Sequence, residues 1–286
     1  MVLPSGPIIR HRFGATIDEK RLLWASLYAA RLSLLGSTAV LVPMGDARDE
    51  AADATTVTSR GEEQVVFTYS EARTAFDSPA SFKGPGYIPL IPLNGTDEQL
   101  DTPDAAAFTV IDSGNAGFTL EMWVNSTDNT DTQHLFGKFG GSDAAREWLL
   151  FITAAGILTL EMKDPSVGVS ATRTSDAAIT QGSLIHIVVT YTGAGGATAA
   201  NGITFYVNGA VVASTANNNA SYVAMEDTTA KPTIGSRSDE VATSFVTGSM
   251  SGGPAGPIFL THTSAGTPTA DVAKRLYQME REWLGV

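Results

Sequence analysis

The segment that most constrains this chain is Ile203-Thr204-Phe205-Tyr206-Val207-Asn208-Gly209-Ala210-Val211-Val212, two β-branched and aromatic runs joined by Asn-Gly. Asn-Gly suits the positive φ angles of a type I′ turn, so the segment predicts a tight antiparallel hairpin. The same period of two recurs along the sequence. Phe118, Leu120, Met122 and Val124 alternate with polar or larger neighbours and predict a half-buried strand. Trp148 to Thr153 and Ile157 to Met162 flank Ala154-Ala155-Gly156, and Leu184 to Tyr191 alternates as well. Shorter β-rich runs are Thr38 to Val42, Gln64 to Tyr69, Phe245 to Ser249 and Pro257 to His262. Strands this short, with turns roughly every 8 to 12 residues, predict an antiparallel sandwich or jelly roll.

The first 37 residues follow a different rule. Thr16-Ile17-Asp18-Glu19 reads as a capping box and Gly36 as a helix stop, with Leu23, Leu27 and Leu34 on one face and Trp24, Tyr28 and Leu35 beside them. That amphipathic face must be buried, either on its own body or against a neighbouring subunit. Arg31 interrupts the apolar run, three serines dilute it and Pro43 ends it, so no stretch approaches the ~20 residues a membrane span needs. No signal peptide is expected either, and the protein is expected to be made in the cytoplasm. A second helix is predicted over 268–284, with Thr267 as cap, Pro268 in the first turn, and Val272, Leu276, Met279 and Trp283 on one side. The division expected is a basic arm, 1–37, and a jelly-roll domain, 38–286.

Charge supports that division. The formal charge is −12, yet residues 1–37 carry +3, leaving −15 on the remainder. An acidic body argues against nucleic acid and anionic membranes as partners. With no cysteine, thiolate metal sites, disulfides and thiol catalysis are excluded.

Several blocks then resemble one family. Leu93 to Leu100 is similar to an "fdGtddyl" strand and is followed by Thr102-Pro103-Asp104; Phe118 to Val124 is similar to "FTieaWv". Leu135-Phe136-Gly137-Lys138 is similar to "lfsK", Leu184 to Tyr191 to "whHvavtyd", Phe205 to Gly209 to "lYvdG" and Thr233-Ile234-Gly235 to "l.iG". Gly248 to Leu260 and Thr267 to Tyr277 occupy the places of the closing strand and helix. In this order the blocks resemble the concanavalin A-like, laminin-G-like jelly-roll domains across residues 38–280. The resemblance implies an all-β, concanavalin A-like antiparallel β-sandwich with an N-terminal helical arm and a short C-terminal helix. It also implies that His186 is hydrogen-bonded within a sheet and Trp123 packed in a core. The family's acidic residue after "G.i" is absent, replaced by the Ser251 to Pro257 loop, and residues 1–37 match no block.

The fold hosts both glucanases and binding modules, so the residues must decide. Retaining members place carboxylates on one strand as E-x-D-x-(x)-E, and no such run occurs here. Glu121, Glu147 and Glu161 could converge only from different strands, and are expected to be solvated strand-face groups. There is no G-x-S-x-G, and Gly193 to Gly196 joins strands without a helix to cradle phosphate. The chain is therefore expected not to be an enzyme. Asp128, Asn129 and Asp131 offer hard oxygens for calcium, as do Asp97, Glu98, Asp101 and Asp104, against the alternative of ordinary acidic turns. Tyr206 and Tyr222 are the candidate glycan contacts. Arg10, Arg12, Leu23, Trp24, Leu27 and Tyr28 are the candidate docking residues. The expectation is a non-catalytic, particle-displayed module, such as a phage virion decoration, head-fibre or tail-associated protein, attached to protein partners through the arm. It would sit on a virion or extracellular surface. The alternative is a carbohydrate-binding adhesion module for cell-surface glycans, with a glucanase third.

Overall fold

The computed structural model describes residues 17–36, 38–44, 54–62, 64–70, 81–83, 88–111, 116–128, 130–237, 244–252, 255–284 and 286, excepting the side chains of 17–24, 81–83 and 89. Two antiparallel sheets form a sandwich. Numbered along the chain, sheet A runs β14 (Ala210–Val211), β13 (Ile203–Val207), β12 (Ile185–Tyr191), β7 (Ala116–Ser126), β17 (Thr247–Ser251), β5 (Ile88–Asn94) and β4 (Ser81–Lys83). On the β17 edge of β7, β18 (Ile258–Thr263) pairs with the strand's first half, and β1 (Val40–Leu41) pairs with β18. Sheet B runs β15 (Ser214–Asn217), β11 (Val169–Ser175), β10 (Leu158–Asp164), β9 (Arg146–Ile152), β8 (Gln133–Phe139), β16 (Pro232–Ile234), β6 (Leu100–Asp101), β3 (Val66–Tyr69) and β2 (Thr56–Thr58).

Alternation along the strands builds the core. Phe118, Leu120, Met122 and Val124 of β7 and Ile185, Ile187, Val189 and Tyr191 of β12 face Phe136, Trp148, Leu150, Leu158, Leu160 and Met162 of sheet B. Trp148 and Phe259 stack at 4.9 Å between ring centroids, with Phe118 5.8 Å from Phe259, so aromatic contact ties the sheets together. The predicted Asn208-Gly209 turn forms, with φ of 51° and 75°.

Both outer faces of β7 and β12 are also covered, which alternation alone does not show. Helix α1 (Ile17–Leu35) and helix α2 (Ala270–Leu284) pack on the outside of sheet A. Leu27, Tyr28 and Leu35 of α1 and Ala273, Leu276 and Leu284 of α2 are buried against Val188, Tyr206, Ile258, Leu260, Ile88, Leu90 and Trp123. The strand expected to be half-buried is thus buried on both sides. Helix α1 stops at Gly36 as expected, its φ of 115° one that a side chain would disfavour. Helix α2 begins two residues later than expected because Thr267 instead closes a short 3-10 turn, donating its hydroxyl to the Ser264 carbonyl at 2.8 Å. Its buried side runs through Ala273, Leu276, Glu280 and Leu284, with Val272, Met279 and Trp283 only flanking it. No described helix is long and apolar enough to cross a membrane.

Candidate functional site

Sheet B presents the opposite arrangement on its outer side. Register places Thr56, Thr68, Asp101, Thr233, Gly137, Leu149, Glu161, Thr172 and Asn217 in one row across all nine strands. A second row holds His134, Phe151, Thr159, Thr174 and Thr215. Hydroxyls, carboxylates and one amide dominate, Phe151 is the half-exposed apolar member, and Thr233, Gly137, Leu149, His134 and Thr159 in the middle of the rows are buried. Phe151, Glu161, Ser170, Thr172 and Thr174 are partly exposed, and Thr215 and Asn217 fully so. Glu161 accepts a hydrogen bond from Ser170 Oγ at 2.6 Å, and Asp176 accepts one from Thr215 Oγ1 at 2.7 Å. The His134 ring meets Phe151 edge-on at 5.8 Å. Burial, helped by nearby Arg237, pushes His134 down to about 4, so it presents a neutral ring.

Two charged clusters flank this picture, and both correct the expectation of solvated glutamates. On sheet A, beneath the helices, Arg31 of α1 donates to Glu121 of β7 and to the Gly256 carbonyl at 3.0 Å, and its Nε lies 2.7 Å from Glu280 of α2. His186 pairs with Glu121 at 2.8 Å, and Trp123 Nε1 donates to Glu280 at 2.5 Å. All five side chains are fully buried. Burial opposes the charge of Glu121, but Arg31 and His186 outweigh it and hold the group below the usual carboxylate range. Burial drives Glu280 well above that range, Arg31 opposing and Glu121 adding to the rise. Among the described residues, Glu121, His186 and Glu280 are the one group of three or more His or carboxylate ligands with converging atoms, within 4.8 Å. The Arg31 guanidinium lies against both carboxylates, so a cation is already supplied and the cluster is a buried ion-pair lock.

At the rim of the sandwich, Lys138 of β8 holds Glu147 of β9 at 2.7 Å, Asp104 at 2.8 Å and Asp227 at 3.1 Å. Glu121, Glu147 and Glu161 therefore do not converge. One lies outside sheet A beneath two helices, one faces a lysine, and the third lies on the open row beside Ser170.

The other candidate residues fall elsewhere. Asp128 Oδ1 accepts from Thr130 N and Oγ1 at 2.7 and 2.6 Å, closing an acidic turn, while its carbonyl takes the Gln181 amide at 2.8 Å. Asp131 is exposed, and Asn129 lies outside the described residues. Asp97 pairs with the Asn94 amide, Glu98 with the Asn94 backbone N–H, Asp101 lies 3.6 Å from Lys231 and Asp104 meets Lys138, so these oxygens point to separate partners. Tyr206 and Tyr222 present no ring to solvent, at 6% and 2% exposure. Tyr206 shares a row with Val188, Glu121 and Ile258 under the helices, and Tyr222 belongs to the inter-sheet core. Leu27 and Tyr28 are spent on the chain's own sheet A. Leu23 and Trp24 lie outside the described side chains, and Arg10 and Arg12 outside the described residues. His186 and Trp123 behave as the resemblance implied.

With two sheets, this register and this core, the architecture is the concanavalin A-like sandwich, and residues 94–252 match the family model of the concanavalin A-like lectin/glucanases superfamily, to which the chain belongs. Among solved structures it is similar to the binding domain of botulinum neurotoxin serotype G, with a TM-score of 0.53 at 9% identity over 84% of this chain and 50% of that one. A structure from botulinum neurotoxin type C gives 0.54 at 8% identity over 87% and 52%. The chain thus spans about half the length of these two. Domain 4 of an extracellular arabinanase from Geobacillus stearothermophilus gives 0.48 at 13% identity over 84% and 98%. At such identities the likeness is one of fold. No curated protein sequence matches the chain.

Proposed function

We propose that the protein is a non-catalytic glycan-binding module whose working surface is the outer face of sheet B. The observation that carries this reading is the run of exposed and half-exposed polar side chains on β10, β11 and β15, Glu161, Thr172, Thr174, Thr215 and Asn217, beside the partly exposed Phe151 ring of β9. Sugars offer hydroxyls to polar side chains and C–H faces to apolar ones, and this face supplies both from rigid strands. The type C neurotoxin, which shares the architecture, depends for cell entry on interaction with two ganglioside molecules. That precedent supports a glycan-binding use of the fold without naming the sugar.

The carboxylates support a binding role over hydrolysis. A retaining glycosidase needs two carboxyl groups about 5 Å apart and open to the sugar. Here the close pair, Glu121 and Glu280, is sealed on Arg31, and Glu161 on the open face stands between Leu149 and Thr172. The buried side of α1 is used within the chain, so docking to a larger particle would fall to other residues. The test is an array of neutral and sialylated oligosaccharides probed with the full chain. Bound spots that disappear with Phe151→Ala support the reading; a blank array, or binding indifferent to that change, refutes it.

A further inference from the structure

Lys138 is a fully buried ammonium facing three carboxylates from three separate segments, and the three are not equivalent. Glu147 is fully buried; its Oε1 receives Thr228 N–H at 2.7 Å and Thr228 Oγ1 at 2.9 Å besides Lys138, while Oε2 has no hydrogen-bond partner. Asp227 has a side chain 55% exposed and also accepts from Thr109 Oγ1 at 2.9 Å. Asp104, just beyond β6, is 34% exposed, which places its carboxyl between the buried amine and the solvent.

We propose that Lys138 and Asp104 condense to an intramolecular isopeptide bond, with Glu147 carrying the proton. One proton passes from Lys138 Nζ through Glu147 to Asp104, and the neutral amine attacks Cγ of the protonated carboxyl, forming the Nζ–Cγ bond. The tetrahedral intermediate then gives up the second Nζ proton through Glu147 to the protonated Oδ, and the Cγ–Oδ bond breaks to release water. An ammonium and a carboxylate become one amide and one water, with no oxidant or cofactor consumed.

Three physical arguments favour the step. Well-oriented intramolecular reactions reach effective molarities of about 10⁵ M, which favours condensation of two groups already held 2.8 Å apart. Burial opposes the Lys138 charge but its three carboxylates outweigh it and hold the ammonium above its ordinary range, so the free amine that attacks has to be made by passing the proton to a neighbouring carboxylate, the place Glu147 occupies. Glu147, pushed up to about 7 by burial against the opposing pull of Lys138 and Thr228, exchanges a proton readily near neutral pH. Asp227 is the poorer partner because it lies farther from Lys138 Nζ, at 3.1 against 2.8 Å, and the same Oδ1 also accepts from Thr109 Oγ1. The product would staple β8 to the segment after β6, a covalent tie across sheet B in a chain without cysteine.

The decisive experiment is peptide mass spectrometry on the denatured, digested full-length protein after incubation at pH 7. The expected result is a branched peptide joining the Lys138 and Asp104 segments, one water lighter than their sum. Lys138→Met and Asp104→Ala should lack it, Asp227→Ala should retain it, and Glu147→Gln should slow its formation at least about a hundredfold. Separate, unmodified Lys138 and Asp104 peptides from folded wild-type protein would overturn the proposal, whatever the variants do. Linkage to Asp227 would overturn the assignment of Asp104, and unslowed linkage in Glu147→Gln that of the proton carrier.

Discussion

The two outer faces of the sandwich follow from the same strand alternation and end differently. Sheet A turns Glu121, Trp123 and His186 outward, and two helices close over them, so a polar cluster becomes interior, Glu121 meeting Arg31 and His186, and Trp123 donating to Glu280. Sheet B turns Glu161, Thr172 and Thr174 outward and leaves them partly exposed. The lesson is that a polar residue on a strand does not by itself mark a solvent face. Its meaning depends on what the rest of the chain lays over it, and here the covering elements come from the two ends of the described chain.

That contrast can be broken most forcefully at Arg31. Arg31→Met should cost about 3–5 kcal/mol in urea unfolding, because it removes the one guanidinium that the buried Glu121 and Glu280 share. A loss below about 1 kcal/mol would mean that the helices do not seal the face. The next effect lies on sheet B and is read through pH. His134 has its pKa lowered to about 4, so its contribution is complete above the unfolded value of ~6.5 and is lost as pH falls through 4. The native protein should lose up to about 3 kcal/mol across that window, and His134→Gln should flatten that part of the profile. An unchanged slope would show that His134 is not held neutral beside Phe151. Smaller again is the expected cost at Gly137, where an added Cβ would meet Leu149 Cδ1 at 2.6 Å and the Trp148 carbonyl at 3.0 Å. Gly137→Ala should destabilise by about 1–3 kcal/mol in thermal unfolding and disturb the polar row. No change in midpoint would indicate that the row is looser than this register implies.

What could be read in advance divides along the same line. The Asn208-Gly209 hairpin, the Ala154 to Gly156 connection and the inward residues of β7 and β12 rest on local signals, period two and turn chemistry, which tertiary context here leaves intact. Strand β11, Val169-Ser170-Ala171-Thr172-Arg173-Thr174-Ser175, escaped because it has one buried hydrophobic residue, Ala171; only its neighbours make it a strand. It carries Thr172 and Thr174, so the candidate surface was hidden along with it. Tyr206 is a candidate glycan contact by residue type and lies on the outer side of β13, but the helices that bury it are remote in sequence. Arg31 looked like an interruption in an apolar helix, and its partners Glu121 and Glu280 lie 90 and 249 positions away.

The central claim, that the chain works through the outer face of sheet B, is tested most directly by calorimetric titration with the strongest glycan from the array. Wild type should be compared with Thr172→Trp on the open row and with Ser33→Trp on the exposed side of α1. The account predicts binding lost by at least about tenfold in Thr172→Trp, a penalty of about 1.4 kcal/mol, and kept in Ser33→Trp. Retained affinity in Thr172→Trp, or loss confined to Ser33→Trp, would contradict it.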